Sequence, residues 1–398
     1  MKVTNLRLKN GRSFELTASV ESPGLVRSRS FSVFYRFPSD FAGSVQISAD
    51  PFIAALIVIA MRVGEPLIVD APISQALLKA LPKIKAFYHN LDPMFKMIAI
   101  KTSGRRELGI TSLFPNEALF FSCGIDSFYA LVKSVDTPTM RNLTHLIFVH
   151  GFDINLSDFW RFERTRMAAE EVASHYEKKL IVVASNIREI TDQYLSWAYC
   201  WPGVMASVAI CLSGFFKTIY VAPDFEQNDV SPVISPDLDS QWSKWIETSA
   251  FAHYSYGVGR IAKAAALASN CLAQKYLRVC WENRRGAYNC GRCSKCVRTM
   301  LTLHLAGALP KFNFLTTLTP ELVERTDFQL DSLDPSVMII TKRIISELRS
   351  KGESQFADSL SQAVKRTYRR RPLEALKAWI LNRIWARRIL LFVRATFN

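Results

Sequence analysis

Four cysteines, Cys280, Cys290, Cys293 and Cys296, fall within 280-CWENRRGAYNCGRCSKC-296. Two Cys-x-x-Cys steps share Cys293, and the fourth thiol stands ten residues upstream. Four thiolates at about 2.3 Å hold zinc in sites that leave no position open for water, and a Cys-Gly-Arg-Cys turn aims N–H donors at sulfur. The chemistry predicted here is therefore structural, with Zn2+ as the ion. An iron–sulfur cluster and a redox Cys-x-x-Cys pair are the alternatives. Half of the 8 cysteines lie in this one segment, and the opening MKVTNLRLKNGRSFELT lacks the continuous apolar core of a signal peptide. Both features argue against a disulfide framework and predict a cytoplasmic protein.

The second stretch with chemistry is 122-SCGIDS-127, set between Leu119–Phe121 and the apolar run from Phe128 to Leu131. It reads as strand, turn and helix. Such a turn points backbone N–H groups at whatever lies above it, and an anion there gains roughly 0.3–1 kcal/mol per charge from the helix terminus. Ser122 and Ser127 add hydroxyl donors, and Gly124 permits close backbone approach. Asp126 would repel phosphate if left alone, so its expected role is to cap the helix or to help hold Mg2+. The plainer alternative is an ordinary capped helix after a strand. Cys123 is either a small residue that fits or, at a helix N-terminus, a thiol with a lowered pKa.

These two stretches need elements to position them. Ala118–Phe121, Leu146–His150 and Leu180–Ala184 are β-rich runs separated by helical segments at 126–135 and 157–177. Val204–Phe216 as helix and Thr218–Ala222 as strand extend the alternation. Alternating strands and helices predict an α/β fold, a doubly wound and mostly parallel sheet with its site at the carboxyl ends of the strands. Ser122, Asp126, Ser127, Asp153, Ser185, Asn186 and Asp224 would gather along that edge. Residues 1–112 begin with strand-like alternation at Lys2–Leu8, Ser13–Val20 and Ser30–Phe37. Two apolar segments follow, Pro51–Val63 and Ile73–Tyr88, and the whole reads as an N-terminal α+β domain without a chemical motif.

122-SCGIDS-127 resembles the S-G-G-x-D-S loop of the N-type ATP pyrophosphatases, with Cys123 in place of the first Gly of that motif. The cysteine segment is similar to the C-terminal C…C-G-x-C-x-x-C zinc site of the 7-cyano-7-deazaguanine synthase branch of that superfamily. Together the two motifs span roughly residues 115–305. The resemblance implies an adenine nucleotide alpha hydrolase-like fold over 113–310, use of ATP and Mg2+, and joining of a carboxylate or amide oxygen to AMP with release of pyrophosphate before a nitrogen nucleophile attacks. It implies a nucleotide site of Ser122, Cys123, Gly124, Ile125, Asp126 and Ser127, joined by His150, Asp153, Ser185 and Arg260, with His150 open to the alternative of a strand-end histidine hydrogen-bonded to backbone. Ser122, Asp126, Ser127 and Lys263 are the implied catalytic groups. Arg260 and Lys263 occupy the first turn of a predicted helix and would reach the phosphates, unless that face is simply solvated. Asp237, Asp239 and Trp242 are candidates for recognising a small-molecule or peptide acceptor. The chain is longer than is usual for a deazaguanine synthase, which leaves room for a related ligase on a larger substrate. A tRNA or small-molecule sulfur transferase, with Cys123, Cys200 or Cys211 as carrier, is the second reading. A nucleotide-binding subunit of a defence or conjugation assembly is the third.

The formal net charge is +15. Ten Lys or Arg residues against Glu374 give +9 between Lys365 and Asn398, so the rest of the chain is only mildly basic. Trp379, Ile380, Ile384, Trp385, Ile389, Leu390 and Phe392 interleave with those charges and predict a basic amphipathic helix after Pro372, within a helical region 311–398. It docks on its own protein or meets RNA, a membrane surface or an acidic protein. A homodimer is a further partner considered. The longest apolar runs, Ala54–Met61 and Val204–Phe216, are shorter than the roughly 20 residues needed to cross a bilayer and read as buried elements.

Overall fold

The computed structural model describes residues 1–11, 13–25, 29–106, 115–222, 250–254, 257–284, 286–328 and 335–367. The strands are β1 (Lys2–Lys9), β2 (Ser13–Glu21), β3 (Ser30–Pro38), β4 (Leu67–Ser74), β5 (Ile100–Arg106), β6 (Glu117–Phe120), β7 (Leu143–His150), β8 (Lys179–Ser185), β9 (Thr218–Val221) and β10 (Ala250–His253). They form one sheet in the order β10-β9-β6-β7-β8-β3-β2-β1-β4-β5. All the neighbours from β10 to β8, and β1-β4-β5, are parallel, whereas β8-β3-β2-β1 are antiparallel. The sheet is thus mixed and mostly parallel.

The helices named below are α1 (Asp50–Val63), α2 (Gln75–Leu91), α3 (Ile125–Ser134), α4 (Phe159–His175), α5 (Ile187–Thr191), α6 (Trp197–Leu212), α7 (Arg260–Leu267), α8 (Cys271–Tyr276), α9 (Ser294–Leu305), α10 (Pro320–Arg325) and α11 (Pro335–Ser350). They cover both faces. In β6 and the residue after it, Ala118 and Phe120 join one core cluster while Leu119 and Phe121 join another. A strand with both side-chain sets buried is the signature of a central parallel strand between helical layers. One layer contains α1, α2 and α6; the other contains α3, α4, α7 and α8. Asp50 and its neighbours through Met61 are all buried in α1, so this helix is apolar around its circumference and is sandwiched. A third cluster packs α10, α11 and the helix at 354–367 against Val297, Leu301 and Leu305 of α9.

The N-terminal segment expected as a unit of its own adds its five strands to the same sheet. The seam is β3 against β8, with Tyr35 opposite Ser185 and Arg36 opposite Ala184. The expected helical segment Ile73–Tyr88 begins later, because Ile73 and Ser74 end β4 and the Ser74 hydroxyl caps α2, accepting from Leu77 N–H at 3.2 Å. β4 and β5 were not anticipated. The basic helix after Pro372 lies outside the described residues. Among the described residues no helix is long and apolar enough to cross a membrane.

Within the parallel half, β6 has β7 on one side and β9 on the other. The chain therefore winds outward in two directions from β6, which opens a crevice at the carboxyl ends of β6 and β9.

Candidate functional site

The crevice is a cavity of about 440 Å³, within the roughly 300–1,000 Å³ typical of small-molecule pockets. Its floor is the loop after β6. The last sheet bond there is Phe121 N–H to Ile147 O at 2.8 Å, after which Cys123 turns the chain with a left-handed φ of 60°. Few non-glycine residues adopt that conformation, so the backbone makes the same demand that a glycine would meet without strain. Gly124 is the N-cap of α3, and no side chain caps the helix. A Cβ at Gly124 would lie 3.2 Å from Ser122 Oγ, a tight approach that the serine hydroxyl would have to yield to. Ser127 Oγ–H donates to Gly124 O at 3.1 Å and accepts from Ser122 N–H at 3.3 Å, closing the loop on itself.

Asp126 does not cap α3, the first of the two roles expected of it. Its carboxylate faces Lys263 Nζ at 3.0 Å and Arg260 Nη1 at 3.5 Å, both from the first turn of α7. Burial pushes this carboxyl up, but the charges of Lys263, Arg260 and Lys295 more than reverse the shift and hold it below its ordinary value. Lys263 has no exposed surface, which overturns the solvated-face alternative. It is not part of the cavity lining; Arg260 and Asp126 are.

The cysteine knot lies just behind the lining, to which its flanking residues Val279, Trp281, Ser294, Lys295 and Arg298 contribute. The four Sγ atoms lie within 4.8 Å of one another, with Cys280–Cys293 at 4.0 Å and Cys290–Cys296 at 3.9 Å. A tetrahedron with bonds of about 2.3 Å has edges near 3.8 Å, so the spacing fits a single ion such as zinc. A cluster carrying several irons would require a wider ring of sulfurs, and no disulfide joins these thiols. Cys290 Sγ accepts from Arg292 N–H at 3.4 Å and Cys293 N–H at 3.3 Å, and Cys293 Sγ from Cys296 N–H at 3.4 Å. Gly291 serves the turn with φ 66°, and a Cβ there would come within 2.9 Å of Thr316 Cβ. The knot also reaches the loop. Asn289 holds residues 277–280 through Val279 N–H, Cys280 N–H and Leu277 O, and Arg278 N–H in that stretch donates to Cys123 O at 2.8 Å.

Several residues of the cavity were not anticipated. Cys293 is the N-cap of α9, and Ser294, Lys295 and Arg298 of that helix line the cavity. The spacing C-S-K-C-V-R could have revealed them, since residues between metal ligands inherit the ligands' fixed geometry. Asp153, which was anticipated, lines the cavity and pairs with Arg188 Nη1 at 2.9 Å. Burial raises its carboxyl, and Lys295, Arg188 and Arg278 together bring it well below the usual carboxylate range. The Arg188 guanidinium lies 4.1 Å over the Trp197 ring, and Trp197, Trp201 and Phe152 give the cavity an aromatic wall.

Three expectations are corrected. His150 does not line the cavity: its ring stacks on Phe162 at 3.9 Å, its Nε2 meets Asn155 O at 3.1 Å, and burial lowers its pKa. Ser185 is fully buried, and its hydroxyl accepts from Ile187 N–H at the start of α5. Cys123, expected in the nucleotide site, is buried and not part of the lining; burial pushes its thiol up to about 12 against the opposing charge of Arg278, which favours the small residue that fits over the reactive thiolate. Cys200 and Cys211, the other sulfur carriers considered, are likewise buried with thiols raised by desolvation. Ser122, Gly124, Ile125, Asp126 and Ser127 all line the cavity. Asp224, Asp237, Asp239 and Trp242 lie outside the described residues.

In comparisons with protein-family models, curated proteins and solved structures, nothing matches this chain.

Proposed function

We propose that the protein is an ATP-dependent adenylating enzyme built on an adenine nucleotide alpha hydrolase-like fold, activating a carboxylate or amide oxygen as its AMP ester. The observation that carries this reading is the convergence on one cavity of an uncapped strand-to-helix loop, at the sheet's switch point, and a helix whose first turn is set by the cysteine knot. Both helix N-termini favour anions, and Arg260, Lys295, Arg298 and Arg188 add positive charge to the lining against Asp126 and Asp153. A triphosphate fits such a surface, and the aromatic wall offers an apolar place for a base or an acceptor.

The acceptor oxygen attacks the α-phosphorus, pyrophosphate departs, and an amine or ammonia then displaces AMP. The chain's part is orientation and charge stabilisation: the loop N–H groups and the cavity cations meet charge on the departing pyrophosphate. Asp126 is committed to Lys263 and Arg260, and Asp153 to Arg188, so neither presents a ready cation site. Mg2+ would arrive bound to the phosphates and supply charge neutralisation there. Zinc in the knot would hold structure, with four protein ligands and no open position. Sulfur transfer is not favoured, because none of its three candidate carriers is an accessible thiolate.

The test is product identity after incubation with ATP, Mg2+, ammonia and a panel of carboxylic acids. AMP with pyrophosphate is expected, falling by about a hundredfold in Ser127→Ala, in which the loop loses its closing hydroxyl. ADP with phosphate, or no bound nucleotide, sinks the proposal.

A further inference from the structure

Lys295 stands between two knot ligands, Cys293 and Cys296, and lines the cavity from the first turn of α9. Its place is set by sulfur. Cys293 caps the helix and its Sγ accepts from Cys296 N–H, so the turn carrying Lys295 cannot move without shifting a ligand. The other cations around the loop are already engaged. Lys263 and Arg260 hold Asp126, while Arg188 holds Asp153 and Asp192. Lys295 acts on both sides of the cavity, helping to hold the Asp126 carboxyl and the Asp153 carboxyl in their charged forms, and among the described residues it forms no ion pair with either. It is a half-buried lysine in the same lining as the two carboxylates. Of the four cations in the lining, Arg188 and Arg260 are ion-paired and Arg298 is engaged, so among the described residues Lys295 is the one left for an incoming polyphosphate.

We propose that Lys295 is the side chain that binds the polyphosphate, and that metal loading of the four cysteines sets nucleotide affinity by holding Lys295 in place. The proposal rests on the reading that the cavity binds ATP. It makes the knot more than a staple: the metal controls a site with which it shares no ligand.

The experiment is ATP binding by calorimetry on metal-loaded wild type, Lys295→Ala and Lys295→Arg, with metal content measured on each. The expected result is binding about tenfold weaker or worse in Lys295→Ala, the loss of one charge-assisted contact, with Lys295→Arg within about threefold of wild type and all three proteins equally loaded. Chelator-stripped wild type should fall to about the affinity of Lys295→Ala, and stripping Lys295→Ala should weaken it no further, because both changes remove the same contact. Equal affinity of loaded Lys295→Ala and wild type overturns the proposal. So does a stripped Lys295→Ala that loses as much again as the wild type did. If stripping unfolds the protein, seen as lost helical circular dichroism, the metal acts on the whole fold and its specific control of Lys295 is overturned, while the loaded variants still decide whether Lys295 binds the polyphosphate. A wild type that binds no ATP would overturn the nucleotide reading itself, an outcome distinct from wild-type binding that ignores Lys295.

Discussion

Residues 1–106 and 115–222 each contain a strand, helix, strand crossover with parallel pairing in the same sheet: β4-α2-β5 in the first and β6-α3-β7 in the second. At the end of β4, Ser74 satisfies a first-turn donor of α2 with its own hydroxyl. At the end of β6 the cap is Gly124, which has no side chain to offer, and the turn carries Cys123 in a left-handed conformation. One crossover is closed locally; the other keeps its donors for something else. The open one lies where the sheet winds outward in two directions, and the closed one lies at the far edge beside β5. The difference teaches that the crossover motif alone does not mark a site. A missing cap at the switch point is what sets this one apart.

Breaking the open crossover should cost most. Asp126→Asn leaves Lys263 buried without its carboxylate, and a loss of about 3–5 kcal/mol is expected in urea unfolding. The pH dependence has a definite sign. The folded Asp126 carboxyl titrates below its ordinary 3.8, so its stabilisation is fully present above about pH 4 and is lost as pH falls through the folded value. The variant should lack that part of the acid-unfolding curve. An Asp126→Asn protein as stable as wild type would mean that the ion pair contributes nothing. At the closed crossover, Ser74→Ala removes a cap and should cost about 1 kcal/mol by the same measurement. Nucleotide binding should be unaffected; a loss of binding there would erase the contrast. The smallest effect is expected for Cys123→Gly. It relieves a positive φ and gives up a buried thiol, so stability should change by less than about 1 kcal/mol, with pyrophosphate release retained. Abolished activity in that variant would restore Cys123 as a chemical group.

The features legible in the sequence are those set by short spacing. Strand, turn and helix at 119–131 and the ligand positions at 280–296 are each fixed within a few residues of chain, so they could be read without knowing the fold. The pleat was harder. His150 and Ser185 were correctly placed at strand ends, but which face each side chain takes depends on register, and both turn away from the cavity into packed surroundings. The pairing of Asp126 with Lys263 joins residues 137 apart, and that of Arg188 with Asp153 joins residues 35 apart. No local pattern announces such a partner. Only the end of β4, Ile73 and Ser74, was hidden by the helical spacing that follows it.

Asn186 was expected among the site residues and instead serves the seam. Its side-chain oxygen accepts from Phe34 N–H at 3.0 Å and its amide donates to Ser32 O at 2.7 Å, so one side chain imitates a strand's backbone and continues the ladder beyond the end of β8. Without β3 and this rung, β8 would present a bare row of donors and acceptors, the kind of edge on which another chain can add a strand and begin to aggregate. The N-terminal strands, which hold no chemical motif, thus serve the parallel half as its guard against self-association.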